Sequence, residues 1–457
     1  MSDLKGAAGR RISSLLDANS FVEIGGGVTA RSTDFNLSGK KEPSDGVITG
    51  YGTVNGSLVY VYSQDSSVLN GTIGEMHARK IVNLYRLALK TGAPVVGMID
   101  CGGVRLEEST DALNAMGRIM QSEALASGVI PQITAVFGSC GGGMSVVAGL
   151  SDFTYLESQK GRMFVNAPDA VRDNCCATDS VDFRSKCGSV DFVGSEAEIF
   201  AEMRSLLSLL PCNNEDDGEV VPTADDPNRS VAGIENGDAR LALSLLADDG
   251  IFTEIKKAFG EGVACGFMRL NGVTVGAVAN VDAELKTGAV RKAADFINFC
   301  DAFSIPVVTL ANAEKLAQTA CTEKGMGAAG AALVSAYANA TVPKVTVVAG
   351  KAYGTSYIMM GSKAVGADMV YAWPQAEIGV MDAKAAAKIL YADGDAAAIR
   401  EGAAAFSSLQ QNVSSAAARG YVDTVIEPAD TRKYLIGALD MLYTKREMHP
   451  DKKHGTV

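Results

Sequence analysis

Residues 129–156, VIPQITAVFGSCGGGMSVVAGLSDFTYL, and residues 341–373, TVPKVTVVAGKAYGTSYIMMGSKAVGADMVYAW, read as one run of elements written twice. Each has a Pro-led apolar strand, a glycine-bearing turn, a short apolar helix and a second strand. Pro94 and Pro306, Pro131 and Pro343, and Gly142 and Gly354 are each separated by 212 positions. A constant offset over that length points to a tandem duplication.

The repeat extends toward the N-terminus of each copy. A helix with Ile81, Leu84, Tyr85, Ala88 and Leu89 on one face ends at Gly92, and the strand Pro94 to Asp100 follows. Phe296, Phe299, Cys300 and Phe303 have the same helical spacing before the strand Pro306 to Leu310. Farther upstream, GYGTVNGSLVYVYSQ (50–64) matches GFMRLNGVTVGAVAN (266–280) as a hairpin. Asn55-Gly56 and Asn271-Gly272 are the dipeptides that supply the positive φ angles of a type I′ turn. Strands alternating with helices predict an α/β fold with parallel or mixed sheets in each half. The acidic, Pro-containing run NNEDDGEVVPTADDPNR (213–229) has no apolar period and reads as a linker or a surface loop or tail. The expected domains are residues 1–228 and 229–457.

The chain has 457 residues, 47% hydrophobic and 21% charged, enough apolar material for two cores. Its net charge of −12 argues against a general binder of nucleic acid or membrane surfaces. The nine cysteines, Cys175 among them, form no C-x-x-C pair, and an odd number suits neither a zinc ribbon nor a disulfide framework. Reduced thiols in a cytoplasmic protein are expected. No apolar run reaches the roughly 18 to 20 residues of a membrane span.

The turn Gly138-Ser139-Cys140-Gly141-Gly142-Gly143 lies between the strand Ile133 to Phe137 and the apolar helix Met144 to Ala148. Glycines at such a turn let a ligand oxygen approach unpaired amides, and the helix dipole adds positive potential. A site of this kind can hold the enolate oxygen of a thioester, each donor contributing on the order of 3 kcal/mol. A glycine turn that only lets helix pack on strand has the same sequence, so both readings stay open. The second copy, Lys351 to Tyr357, retains Gly354 and continues Thr355-Ser356. Two such turns suit a reaction with two carbonyl groups to hold.

Enol chemistry needs a base, and the histidines are only His77, His449 and His454. The last two fall in a charged tail, and His77 reads as a surface or capping residue. No G-x-x-x-x-G-K-[ST] loop, H-E-x-x-H or Cys/His cluster occurs, and Gly25-Gly26-Gly27 lacks a following βαβ unit.

SQDSSVLNGTIGEMHARKIVNLYRLALKTGAPVVGMIDCGGVRLEE (63–108) and LASGVIPQITAVFGSCGGG (125–143) resemble the N-terminal domain of the β subunits of propionyl-CoA and acetyl-CoA carboxylases. FINFCDAFSIPVV (296–308), ATVPKVTVVAGKAYGTSY (340–357) and YAWPQAEIGVMDAKAA (371–386) resemble their C-terminal domain, and KKHGTV (452–457) their ending. The resemblance implies two tandem crotonase-like ββα spirals. It implies carboxyl transfer between carboxybiotin and the α carbon of a short acyl-CoA, with acetyl-CoA or propionyl-CoA as substrate. Gly142 and Gly143 match the pair that receives the thioester oxygen of the coenzyme A substrate. Gly354, Thr355 and Ser356 fall on the Gly-Gly-Ala turn that holds the biotin ureido oxygen. Biotin itself would then act as the base, which accounts for the missing histidine.

The same resemblance places Gly102, Gly103 and Arg105 in a turn beside the acyl-CoA, although Arg105 in a structural salt bridge fits equally well. Ile358 falls where family members vary with acyl chain, and an apolar residue there goes with acetyl-CoA; a core isoleucine would look the same. The implied partners are a biotin carboxyl carrier protein and biotin carboxylase subunits, because the chain has no M-K-M signal and no ATP module. The implied assembly is a homo-oligomer, a dimer or hexamer, with the N-terminal domain of one subunit facing the C-terminal domain of another. Two segments depart from the family: ANAEKLAQTACTEKGMG (311–327) replaces a V-P-G-F-x-P-G loop, and VDAELKTGAV (281–290) is shortened. Both lie in the biotin half. A decarboxylase subunit acting on malonyl-, methylmalonyl- or glutaconyl-CoA shares every motif, and a non-catalytic CoA-binding scaffold is the third reading.

Overall fold

The computed structural model describes residues 6–31, 44–172, 176–236 and 238–450. Cys175, His454 and the closing KKHGTV lie outside the described residues. The chain divides into two compact units, residues 1–218 and 219–457.

In the first unit the sheet runs β1 (Val22–Ile24), β2 (Val47–Val54), β3 (Ser57–Gln64), β4 (Val95–Cys101), β5 (Gln132–Gly141), β6 (Phe153–Glu157) and β8 (Phe192–Gly194), and β7 (Arg162–Phe164) joins the end of β5. The first two pairings are antiparallel and the rest parallel. The turn between β2 and β3 has Asn55 at φ 51° and Gly56 at φ 87°, as the dipeptide predicts. Five helices matter for the site: α1 (Ala7–Leu15), α2 (Glu75–Thr91), α3 (Ser109–Ala126), α4 (Gly143–Leu150) and α5 (Glu196–Leu209). Helix α2 buries Ile81, Leu84, Tyr85 and Ala88, the face its periodicity marks, and ends on left-handed Gly92.

The second unit repeats this plan. Its sheet runs β9 (Phe252–Ile255), β10 (Val263–Leu270), β11 (Val273–Asn280), β12 (Val307–Ala311), β13 (Lys344–Val348), β14 (Met369–Ala372) and β15 (Thr424–Val425). Again the first two pairings are antiparallel and the others parallel. Asn271 and Gly272 have φ 53° and 81°. The helices are α6 (Thr287–Ala302), α7 (Ala320–Asn339), α8 (Gly354–Met359) and α9 (Thr431–Leu442). Phe296, Cys300 and Phe303 are buried, and Gly276 lets α6 sit close, since a Cβ there would stand 2.5 Å from the Cys300 sulfur.

The duplication reaches individual hydrogen bonds. The Asp17 carboxylate accepts the Asn55 and Gly56 amides at 3.1 and 2.9 Å. Asp248 accepts those of Asn271 and Gly272 at 3.0 and 2.7 Å. Arg204 on α5 donates to Asp17 at 2.8 Å and to the Leu15 carbonyl, and Arg432 on α9 donates to Asp248 at 2.6 Å and to the Leu246 carbonyl. Asp152 accepts the Gln132 amide where β5 starts, and Asp368 accepts the Lys344 amide where β13 starts, both at 2.8 Å. The aspartates satisfy amides at turns and strand starts that have no ladder partner, and the arginines satisfy carbonyls at helix ends.

Candidate active site

In each unit the turns of interest sit beyond the carboxyl ends of parallel strands, where open α/β sheets gather ligands. Gly142 joins β5 to α4 with φ 59° and ψ −126°, a conformation that residues with a Cβ adopt only at a cost. Its α carbon faces open space. The Gly142 amide is already donated to the Phe164 carbonyl at 2.9 Å, so Gly142 supplies the shape of the turn. The free donors come next: the amides of Gly143 and Met144 open α4 and have no intrahelical acceptor. The Ser145 hydroxyl donates to the Cys140 and Phe164 carbonyls at 2.8 and 2.6 Å and fixes the turn to β7. Neither Phe164 nor Ser145 stood out in the sequence, because the acceptor strand lies twenty residues downstream.

Gly354 opens α8 with φ 53°, and a Cβ there would stand 2.9 Å from the Val380 carbonyl. Thr355 is exposed and Ser356 is buried. The Ser356 hydroxyl donates to the Tyr353 and Ala313 carbonyls at 2.7 and 3.2 Å. The Tyr353 amide also donates to the Ala313 carbonyl, at 3.1 Å, while its phenol donates to Glu377. Ala313 belongs to the diverged stretch 311–327, so that stretch directly backs the second turn. Its remainder forms a short strand, Lys315–Leu316, paired with Glu284–Leu285, and then enters α7 with Thr319 as N-cap. Ile358 is 43% exposed, which removes the core reading of that residue.

One strand over from each turn, a second contact repeats. The Asp100 amide donates to Gln64 at 3.2 Å, and the Asn312 amide donates to Asn280 at 3.1 Å. Gly138 and Gly350 leave room for the Asp100 and Asn312 side chains, which any Cβ would meet. Asp100 is further held by Ser66 at 2.9 Å and by Arg11 at 3.4 Å. Gly102 and Gly103 follow at the end of β4, beside Cys140 through the Cys101–Cys140 register. Gly103 has φ 101° and open space in front of its α carbon.

Arg105 is 1% exposed. It donates to Glu108 at 2.8 Å, to the Thr72 carbonyl at 2.7 Å and to the Asp45 carbonyl at 3.1 Å. Of the two readings its sequence allowed, the contacts are those of the structural salt bridge. The turn therefore presents its glycines, with the guanidinium locked beneath.

His77 differs from its sequence reading. It is fully buried on α2, bonded to Gln64 at 3.2 Å and to the Asp45 carbonyl at 3.1 Å. Burial, with Arg105 and Lys80 nearby, lowers its pKa to about 3, so it is neutral at ordinary pH. Burial pushes the Cys101 and Cys140 thiols up to about 11 and about 12, which removes both as nucleophiles. Among the described residues no cluster of His, Cys, Asp or Glu could hold a metal, and no helix is long and apolar enough to cross a membrane.

These turns can polarise two carbonyl oxygens, whereas His77, Cys101 and Cys140 are buried. The model of the carboxyl transferase domain matches residues 5–457. The propionyl-CoA carboxylase β chain of Roseobacter denitrificans is 39% identical over 98% of this chain and 93% of its own length. The methylmalonyl-CoA decarboxylase α subunit of Veillonella parvula is 39% identical over 99% and 93%. A crystal structure of the transcarboxylase 12S hexamer with methylmalonyl-coenzyme A superimposes with a TM-score of 0.95 at 36% identity, covering 98% of this chain and 92% of that one. The fold is thus crotonase-like, and the chain belongs to the carboxyl transferase domain family as a biotin-dependent acyl-CoA carboxyltransferase.

Proposed function

We propose that the protein moves a carboxyl group between carboxybiotin on a separate carrier protein and the α carbon of a short acyl-CoA, propionyl-CoA or acetyl-CoA. The observation that carries this reading is the pair of equivalent glycine turns, Gly142 at φ 59° and Gly354 at φ 53°, each opening a helix beyond a parallel strand. The first turn takes the thioester oxygen, with Gly143 and Met144 as donors and Gly142 holding the geometry. The second takes the ureido oxygen on the amides of Thr355 and Ser356. A neutral ureido group fits the amides and the exposed Thr355 hydroxyl that open α8. When bound, carboxybiotin supplies both the carboxyl group and the base. The chain's own residues position the two partners and stabilise oxygen charge as it develops.

Each turn is rimmed by exposed apolar side chains, Val146 and Val165 at the first and Ile358 and Val380 at the second. These rims support a homo-oligomer in which the N-terminal unit of one copy meets the C-terminal unit of another. The partners are a biotin carboxyl carrier protein and a biotin carboxylase. Methylmalonyl-CoA decarboxylase relatives support a second reading with the same sites, in which the transfer runs from acyl-CoA to biotin.

The test is to incubate purified protein with free biotin and malonyl-, methylmalonyl- or glutaconyl-CoA and follow decarboxylation. Biotin-dependent turnover of at least one ester is expected, and the preferred ester identifies the acyl group. Tight CoA-ester binding without turnover of any of them would leave the scaffold reading in its place.

A further inference from the structure

We propose that Asn70 is a ligand contact on the acyl-CoA side, its carboxamide paired with an amide of the pantetheine arm. The proposal rests on the first turn being the acyl-CoA site. It starts from backbone geometry: Leu69, Asn70 and Gly71 have φ of 49°, 53° and 62°, three successive left-handed residues. Asparagine and glycine tolerate that conformation, whereas for Leu69 it is unfavourable and persists only where surrounding contacts dictate it.

Those contacts lead to the candidate site. The Gly102 amide donates to the Asn70 carbonyl at 2.9 Å, and the Ile73 amide donates to the Gly103 carbonyl at 2.9 Å. The Thr72 amide and hydroxyl both donate to the Leu69 carbonyl, at 3.0 and 2.7 Å. Gly71 has to be glycine, since a Cβ there would meet the Asp100 carbonyl. The left-handed turn is therefore laced to the Cys101–Gly103 turn, next to the strand that ends in Gly142.

Asn70 enters these bonds only through its carbonyl, and its side chain is exposed. A Cβ on Gly102 would lie 3.4 Å from the Asn70 Cβ, and Gly103 beside it faces open space. A carboxamide in that place offers donors and an acceptor without charge. That chemistry suits a secondary amide, which also presents one donor and one acceptor, better than it suits a phosphate or carboxylate.

The experiment titrates CoA and, separately, adenosine 3′,5′-bisphosphate into the full-length chain by calorimetry, for wild type, Asn70→Gly and Asn70→Asp. Glycine keeps the left-handed turn, so the thermal midpoint of Asn70→Gly is expected to equal or exceed that of wild type. CoA binding is expected to weaken about 3- to 10-fold in both variants, the loss of one hydrogen-bond pair. The bisphosphate, which has no pantetheine amides, should bind all three proteins alike. Asn70→Gly binding CoA as tightly as wild type overturns the proposal, and so does equal weakening toward the bisphosphate. A wild type that binds CoA yet transfers no carboxyl group defeats only the functional reading, because the titration still decides the role of Asn70. A wild type that binds no CoA defeats both.

Discussion

Arg432 and Asp248 meet at 2.6 Å with both side chains buried, and through them α9 holds the amides of the Asn271-Gly272 turn. Removing Asp248 leaves the buried Arg432 with Asp225 at 3.3 Å as its remaining carboxylate and leaves the two turn amides without their acceptor. Asp248→Ala should cost about 3 to 5 kcal/mol. The equivalent Asp17→Ala, whose pair with Arg204 is partly exposed, should cost roughly 1 to 3 kcal/mol. Urea unfolding of the full chain, with hydrogen exchange at the two Asn-Gly turns, measures both; equal costs would contradict the burial argument.

The two glycines at the turns should tolerate alanine poorly, for different reasons. Gly142→Ala places a Cβ on a backbone at φ 59° and ψ −126° and reshapes the donors at Gly143. Gly354→Ala pushes against the Val380 carbonyl. Steady-state decarboxylation of the accepted acyl-CoA should fall by about 10²- to 10³-fold in kcat for Gly142→Ala, the usual cost of losing oxyanion donors. Biotin KM should rise for Gly354→Ala with little change in acyl-CoA KM.

Glu123 makes stability fall as pH rises. Burial raises its carboxyl pKa from 4.5 to about 8, the Tyr85 phenol at 3.2 Å offsetting only part of the rise. Between those values the folded chain keeps a proton that the unfolded chain has lost, so stability is full below pH 4.5 and is lost up to about pH 8. The slope should approach 1.4 kcal/mol per pH unit, roughly one proton's worth. Glu123→Gln keeps a neutral side chain of similar shape and should flatten the thermal midpoint against pH between 6.5 and 8, above the range in which His77 opposes it.

His77 works from the acid side. Its folded pKa of about 3 lies below the 6.5 of the unfolded chain. As pH drops through that interval the unfolded state takes up a proton that the folded state refuses, so stability declines toward acid. His77→Gln removes this dependence, although it also disturbs the bond to Gln64. Between pH 6.5 and 4.5 this opposes the Glu123 contribution, so the readout is the difference between wild type and His77→Gln; identical midpoint-against-pH curves for the two would contradict the neutral, buried imidazole.

Much of the fold was legible because its signals are local. The Asn-Gly hairpins, the apolar face of α2 and the constant 212-residue offset all depend on neighbours in sequence. What escaped notice depends on tertiary contact. His77 looks like a helix-start histidine until the Asp45 backbone closes over it, and the occupied amide of Gly142 cannot be foreseen without β7. The aspartates at the strand margins were equally silent, since an aspartate in a loop gives no sign of the amide it will accept. Residues Ala320 to Gly327 were read as part of a diverged loop and instead begin α7, capped by Thr319.

At Tyr353 and Ser356 the second turn leans on a carbonyl, that of Ala313. A backbone acceptor is indifferent to the residue that bears it. The exposed positions Lys315 and Gln318 can therefore be varied in the laboratory with Tyr353 and Ser356 still anchored, provided that Asn312, whose side chain accepts the Lys351 amide, and the Thr319 cap are kept. That makes them a place to diversify side chains around the second pocket by library selection, where carrier preference could be retuned without redesigning the scaffold.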